Sequence, residues 1–457
     1  MTIEQAINYV YASYMKAEKY LEYSAEDSGK RNPAFSKAII ENLAKCQPPT
    51  ILVTGSKGKG SVSKMISEIL GVHGKTGLMT SPHILKFNER IQIQGQPVCD
   101  EVFAQAIAGM KPDFDKVEAK LSLQEYISPM GIQAAAALWI FHEENVQFQV
   151  MECGKGVAYD DVNNVPHAYA VINRIFLEHT RELGDTLEKI AENKSAIITG
   201  NQKAVFVSEQ EPEVMAVLKK RAEEKQVPLY YYGKDFWAEN IVYTEHGMRF
   251  DVVTKFHRYK EVRIPLLGTH QAKNCALAFA ICEKVLLDTF PKNDMEITRI
   301  MEPQARKALQ ELKWPGRLEV LSSKPMMLLD ACINRESCKN VLEALHQLQQ
   351  DHVITIIGIP SDKDYTGVAE AMYDITEKMI LTKSQNVHYK FGPEQAEHLM
   401  DNGMEALWTE SMEEALEKAR EYMTEQDKYE LPICILGTTS LISDVMVLAS
   451  TPAPCNI

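Results

Sequence analysis

Short apolar runs alternate with stretches of helical periodicity along most of the 457-residue chain. Thr50-Ile51-Leu52-Val53 reads as a buried strand, and Val62, Met65, Ile66, Ile69 and Leu70 then recur at the spacing of one helix face. The same rhythm returns at Phe148 to Met151, at Tyr169 to Asn173, and at Ala204 to Val207 before a helix carrying Met215 and Leu218. Strands that alternate with helices predict a parallel, doubly wound α/β sheet.

Residues 229 to 267 break the rhythm. Tyr230 to Tyr232, Ile241 to Tyr243, Met248 to Val253 and Val262 to Ile264 are expected as short strands joined by tight turns such as Glu245-His246-Gly247. They predict an antiparallel patch attached to the first sheet. An Ala- and Leu-rich helix follows from Gln271 to Leu287, then a charged helical stretch ending at Trp314-Pro315-Gly316-Arg317. Pro-Gly marks a turn, and strands are expected again at Met326 to Leu329, Val353 to Ile357, Met379 to Thr382 and Ile433 to Leu436. The predicted division is a first domain over residues 1–301, a linker over 302–316 and a second domain over 317–457. A loose tail is expected from Thr451 to Ile457.

Composition narrows the function. Acidic residues outnumber basic ones 63 to 49, a net charge of −14. Phosphate-backbone binding needs the opposite balance, so nucleic acid is excluded as the main partner. The nine cysteines are scattered and include no CxxC pair, which reads as reduced thiols rather than a disulfide framework or a thiolate zinc site. The N-terminus lacks a signal-peptide pattern, and the most apolar stretch, Met130 to Phe141, is too short to cross a bilayer. A soluble cytoplasmic protein without membrane partners is expected.

The first candidate chemistry lies between the first strand and its helix: Thr54-Gly55-Ser56-Lys57-Gly58-Lys59-Gly60-Ser61. Glycines let backbone N–H groups approach phosphate oxygens, and the helix N-terminus adds partial positive charge. Lys59 is placed to reach the terminal phosphates. Ser61 offers a hydroxyl either to Mg²⁺ or as a helix cap. The long Walker A spacing is not met, because position 53 is valine.

The loop resembles that of the folylpolyglutamate synthase/dihydrofolate synthase branch of the Mur ligase superfamily. Thr80-Ser81-Pro82-His83, Asn88 to Pro97, Glu152 with Gly154 to Asn163, Leu177 to Thr180, Ile190 to Lys194, His270 to Asn274, Trp314 to Glu319, Asp330 and Gly437 to Leu441 are similar to its further motifs, in family order. The resemblance covers nearly the whole chain. It implies a phosphate-loop-containing, mostly parallel central ATPase domain with a small antiparallel patch, followed by a Rossmann-like α/β domain. It also implies an amide-forming ligase that uses ATP and Mg²⁺ to activate a carboxylic acid as an acyl phosphate, by default a folate-type acid joined to L-glutamate.

The implied site residues are as follows. Gly55, Ser56, Lys57, Gly58, Lys59, Gly60 and Ser61 hold the triphosphate, with Asn274, Arg317 and Asp330 completing the ATP site. Ser81 and Glu152 hold one Mg²⁺, Glu152 and His179 a second, and Lys194 matches a lysine carbamylated in the family. Lys59, His179 and Lys194 are the expected catalytic groups. Small-molecule acid and amino-acid substrates are the expected partners, with a monomer or small homo-oligomer and closure about the linker.

Four departures set this chain apart. Gly156-Val157-Ala158 stands where the family has Gly-Gly-Arg, and Asp330-Ala331-Cys332-Ile333-Asn334-Arg335 replaces Asp-Gly-Ala-His-Asn-Pro, exchanging a histidine for Ile333. Arg335 is expected as a substitute charge with a different geometry. Gly437-Thr438-Thr439-Ser440 carries an extra residue, and His388 stands where arginine is common. These departures keep a second reading open, a ligase of the same mechanism acting on another small acid or amino acid, and behind it a nucleotide-binding regulatory subunit.

Overall fold

The structure is a computed structural model that describes residues 1–21, 26–244, 246–290, 303–386 and 388–450. Glu302 of the expected linker, Glu245 of the expected turn and the tail Thr451 to Ile457 lie outside these, as do Cys455 and the side chain of Cys46.

Residues 1–239, 251–262 and 273–309 form one compact unit, and 240–250, 263–272 and 310–457 form a second. The first is built on eight strands: β1 (Thr50–Thr54), β2 (Thr76–Met79), β3 (Ile91–Ile93), β4 (Gln96–Pro97), β5 (Phe148–Glu152), β6 (Tyr169–Ile172), β7 (Ala204–Val207) and β8 (Leu229–Tyr231). Their spatial order is β4-β3-β2-β5-β1-β6-β7-β8. From β2 to β8 every neighbouring pair is parallel, and β3 and β4 add an antiparallel edge.

The apolar runs become central strands because both faces of a parallel sheet are covered. All five residues of β1 are buried. The helix Lys59–Gly71 buries the expected stripe of Val62, Met65, Ile66, Ile69 and Leu70. The Ala-rich run becomes the helix Pro129–Glu143, buried nearly all round, opened by the Ser128 hydroxyl accepting the Met130 N–H with proline at the first turn.

A separate three-stranded sheet, order β11-β10-β9, follows from β9 (Trp237–Thr244), β10 (Gly247–Val253) and β11 (Arg258–Ile264). Its short connections allow only antiparallel pairing. This corrects two expectations. The patch is not part of the first sheet, and Tyr230 to Tyr232 do not belong to it. Leu229–Tyr231 instead pairs in parallel with β7, and Tyr230 stacks on Phe206 at 5.0 Å between ring centres. The helix after Pro212 has already turned the chain back, so β8 extends the parallel sheet.

The second unit carries β12 (Glu319–Ser323), β13 (Met326–Asp330), β14 (Val353–Gly358), β15 (Thr376–Thr382), β16 (Ala406–Thr409) and β17 (Ile433–Gly437). The order is β12-β13-β17-β14-β15-β16, parallel except for the β12–β13 pair. β12 and β16 were not apparent from the apolar pattern, because half-exposed residues dilute their runs. Among the described residues no helix is long and apolar enough to cross a membrane. Cys99, Cys153, Cys275, Cys282, Cys332, Cys338 and Cys434 are free thiols.

Candidate active site

In the first sheet β2, β5, β1 and β6 are consecutive and parallel, so the loops that leave their carboxyl ends open side by side. That edge is where open α/β sheets place ligands. The loop after β1 is the glycine-rich one. Gly55 has φ +142°, and a Cβ there would come within 2.8 Å of Asn173 Cβ. Gly58 has φ +81°, and its Cβ would meet Asn173 Nδ2 at 2.6 Å. Only glycine permits both the left-handed backbone and the close approach.

Gly58 is the N-cap of Lys59–Gly71, and no side chain caps that end. Ser61 is a residue of the first turn and not the cap, which settles one of its two expected uses. The uncapped N–H groups carry the positive end of the helix dipole. Ser56 points elsewhere: its N–H donates to Arg174 O at 2.9 Å and its hydroxyl donates to Phe176 O at 3.2 Å. It braces the loop after β6. Asn274 backs the turn, accepting from Asn173 Nδ2 at 2.9 Å.

Two lysines converge on one oxygen. Lys59 Nζ donates to Gly55 O at 3.1 Å, and Lys194 Nζ donates to the same atom at 3.0 Å. Lys194, on the helix Leu187–Ser195, is 0% exposed, donates to Lys155 O at 2.6 Å and lies 3.1 Å from Glu178 Oε1. Burial, opposed by Glu178 and reinforced by Lys59, brings its pKa down to about 8. A buried amine in that range is partly neutral at physiological pH.

Glu152 ends β5 and is buried. Its Oε2 accepts the Thr80 hydroxyl at 2.5 Å and the Ser81 N–H at 3.1 Å. Ser81 is thus brought to Glu152 by the backbone of the loop after β2. In the next loop Asp160 holds the bend, accepting Gly154 N–H at 2.5 Å and Val162 N–H at 3.0 Å. His179 adopts the left-handed region at φ 47° ahead of the short helix Thr180–Leu183, with Nδ1 4.0 Å from Glu182. Burial lowers its pKa against the pull of Glu178 and Glu182, which keeps a ring nitrogen lone pair available.

Among the described residues no cluster of three or more His, Cys, Asp or Glu is poised around a metal. A single buried carboxylate with a serine beside it still fits Mg²⁺, which takes one or two protein oxygens and fills its shell with phosphate and water.

In the second unit Asp330 ends β13, buried, and its Oδ2 accepts the Leu318 N–H at 2.9 Å. Ala331 N–H donates to Gly316 O at 3.0 Å, so the Pro-Gly turn wraps the strand end. Arg317 Nη1 donates to that same Gly316 O at 3.0 Å. Cys332 Sγ lies 3.4 Å from Ser337 Oγ, and Asn334 caps the helix Arg335–Gln347 through Ser337. Arg335 does not supply the expected substitute charge at the strand end: more than half exposed, it pairs with Glu370.

Sequence reasoning missed Asn173, Thr80 and Glu178. Thr80 and Glu178 stood beside Ser81 and His179 in quoted motifs, whereas Asn173 carries no signal beyond its place at a strand end.

Residues 53–282 match the Mur ligase middle domain, and residues 316–430 match the Mur ligase glutamate ligase domain. The chain belongs to the Mur ligase family and is an ATP-dependent ligase. Within that family it is 31% identical over 328 residues to the dihydrofolate synthase/folylpolyglutamate synthase of Bacillus subtilis, covering 71% of this chain and 74% of that one. It is 27% identical over 402 residues to the folylpolyglutamate synthase of Lacticaseibacillus casei, covering 86% and 88%. The fold agrees with that of the Mycobacterium tuberculosis folylpolyglutamate synthase complexed with ADP and AMPPCP, at a TM-score of 0.82, 22% identity and coverage of 96% and 99%.

Proposed function

We propose that this ligase joins a folate-type carboxylic acid to L-glutamate through an acyl phosphate. The observation that carries the reading is the Lys59 ammonium, held on Gly55 O beside the uncapped N-terminus of the helix Lys59–Gly71. That is a built receptacle for a polyanion. The names of the relatives supply the folate and the glutamate.

In the proposed reaction an oxygen of the acid carboxylate attacks the γ-phosphorus of ATP. An O–P bond forms and the bond to the bridging oxygen breaks, releasing ADP. The amine of glutamate then attacks the acyl carbon, a C–N bond forms, and phosphate leaves with loss of a proton from the amine. Lys59 and the N–H groups of the Gly58–Ser61 turn bind the triphosphate and steady the charge that spreads over the transferred group. Asn274, through Asn173, holds that turn in place. Ser81, Glu152 and His179 would hold Mg²⁺, which neutralises phosphate charge when bound. The neutral amine of Lys194 adds to CO₂, forming an N–C bond and releasing one proton to solvent, and the resulting carbamate presents an anion in place of a cation. Arg317 and Asp330 serve the ATP in this reading.

The test is direct. With ATP and Mg²⁺, ADP release is expected only when tetrahydrofolate and L-glutamate are both present, and mass spectrometry shows a product heavier by one glutamyl residue. If neither tetrahydrofolate nor dihydropteroate is extended, the folate assignment fails. The second reading, another acid or amino acid, draws on Ile333 and on Arg335 being paired away from the strand end. Turnover in a mixture of other acids and amino acids, with none on folates, is its signature.

A further inference from the structure

Arg90 closes the turn Phe87–Arg90 and leads into β3. Its carbonyl accepts the Thr80 N–H at 2.9 Å, and Thr80 in turn donates its hydroxyl to Glu152. The guanidinium is largely buried and firmly held. Nε donates to His83 Nδ1 at 2.9 Å, Nη1 donates to Gln133 Oε1 at 3.0 Å, and Cζ lies 5.0 Å from the centre of the Phe87 ring.

Every one of these partners is neutral. His83 accepts from Arg90 through Nδ1, so that ring nitrogen carries no proton. No ion pair joins Arg90 to a carboxylate among the described residues, and Glu152 acts on it only through space. Other buried cations of this unit are treated differently. Lys64 lies 2.7 Å from Glu68, and Lys194 lies 3.1 Å from Glu178. A charge taken from water without a counter-charge is costly, and a fold that leaves one in place has an anion still to come.

We propose that Arg90 is the receptor for the carboxylate of the acid substrate, oriented for it by His83, Gln133 and Phe87. The inference rests on the ligase reading above and deepens it by assigning the group that recognises the acid. A guanidinium has five N–H groups in a planar fork, and those not used on His83 and Gln133 match the two oxygens of a carboxylate. After phosphoryl transfer one of these oxygens is a neutral carbonyl and the other bridges to phosphorus, so the contact is strongest with the free acid. His83 and Gln133 are positioning residues.

Steady-state kinetics of the full chain with tetrahydrofolate, L-glutamate and ATP tests this, using Arg90→Lys and Arg90→Met. The expected result is a rise of at least about tenfold in KM for tetrahydrofolate, larger for Met than for Lys. The dissociation constant of ADP and the melting temperature stay near native values, and added guanidinium ion restores part of the Arg90→Met rate. A KM for tetrahydrofolate within about twofold of native in both variants overturns the proposal. So does a joint loss of ADP affinity and thermal stability in both variants, which marks Arg90 as merely structural. A native chain that extends no folate defeats the ligase reading itself, and measuring native activity first separates that failure from this one.

Discussion

Glu152 and Asp330 hold corresponding places in two α/β sheets: each is a buried carboxylate at the carboxyl end of a strand. Their surroundings differ. Glu152 takes a hydroxyl and an amide from the loop after β2, and the nearby loops bring Lys59, Lys194 and Arg90 to the same edge. Asp330 takes the Leu318 N–H and sits among the thiols of Cys332, Cys338 and Cys434. Burial pushes the Cys434 thiol well up, so it stays protonated and behaves as a small apolar group. A strand end in a parallel sheet supplies a position. The loop residues supply the chemistry.

The largest expected effect falls on the first edge. Lys59→Ala and Glu152→Ala should each cost on the order of 10²–10³-fold in turnover, read as ADP release with both substrates present. Ligation that survives both substitutions breaks the contrast, because the charged edge would then not be where the chemistry occurs.

Lys194 sharpens it. With a pKa of about 8, the amine is mostly protonated below that pH and mostly neutral above it. Only the neutral form takes up CO₂, so activity in bicarbonate-depleted buffer should climb as pH rises toward 8 and be restored at pH 7 by added bicarbonate. The expected gain is about tenfold per pH unit at the low end, following the neutral fraction. Lys194→Arg should abolish the response. A flat profile, insensitive to bicarbonate, leaves Lys194 as a plain cation.

A smaller effect is expected at Gly58. Gly58→Ala forces an L-residue into φ +81° and drives its Cβ against Asn173, weakening nucleotide binding by about 1–2 kcal/mol. Isothermal titration with ADP measures it, and unchanged affinity would mean that the turn is not the receptacle. The smallest effect belongs to the second edge. Arg335→Ala removes an exposed ion pair with Glu370 and should change stability by less than about 0.5 kcal/mol, with turnover unaltered. A tenfold loss of rate would return Arg335 to the anion and erase the difference between the two edges.

Much of this was written in local order. The apolar run Thr50 to Val53, the stripe from Val62 to Leu70 and the glycines between them specify strand, turn and helix, because burial on a defined face imposes a period that neighbours in sequence carry themselves. Ser81, Glu152, His179 and Lys194 were legible only through the family motifs in which they stand, because a single serine, glutamate, histidine or lysine carries no metal-site signal of its own. Partnerships across the chain were not. Ser56 bracing Phe176, Lys59 and Lys194 sharing one oxygen, Arg335 turning to Glu370, and Leu229–Tyr231 pairing with β7 all depend on segments far apart in sequence. Crossover helices decide which loops meet, and no residue near either partner records that choice. The chain alone therefore determined the strongly apolar strands and helices and the type of chemistry, while only the folded arrangement decided which charges are paired and which, like Arg90, still await an anion.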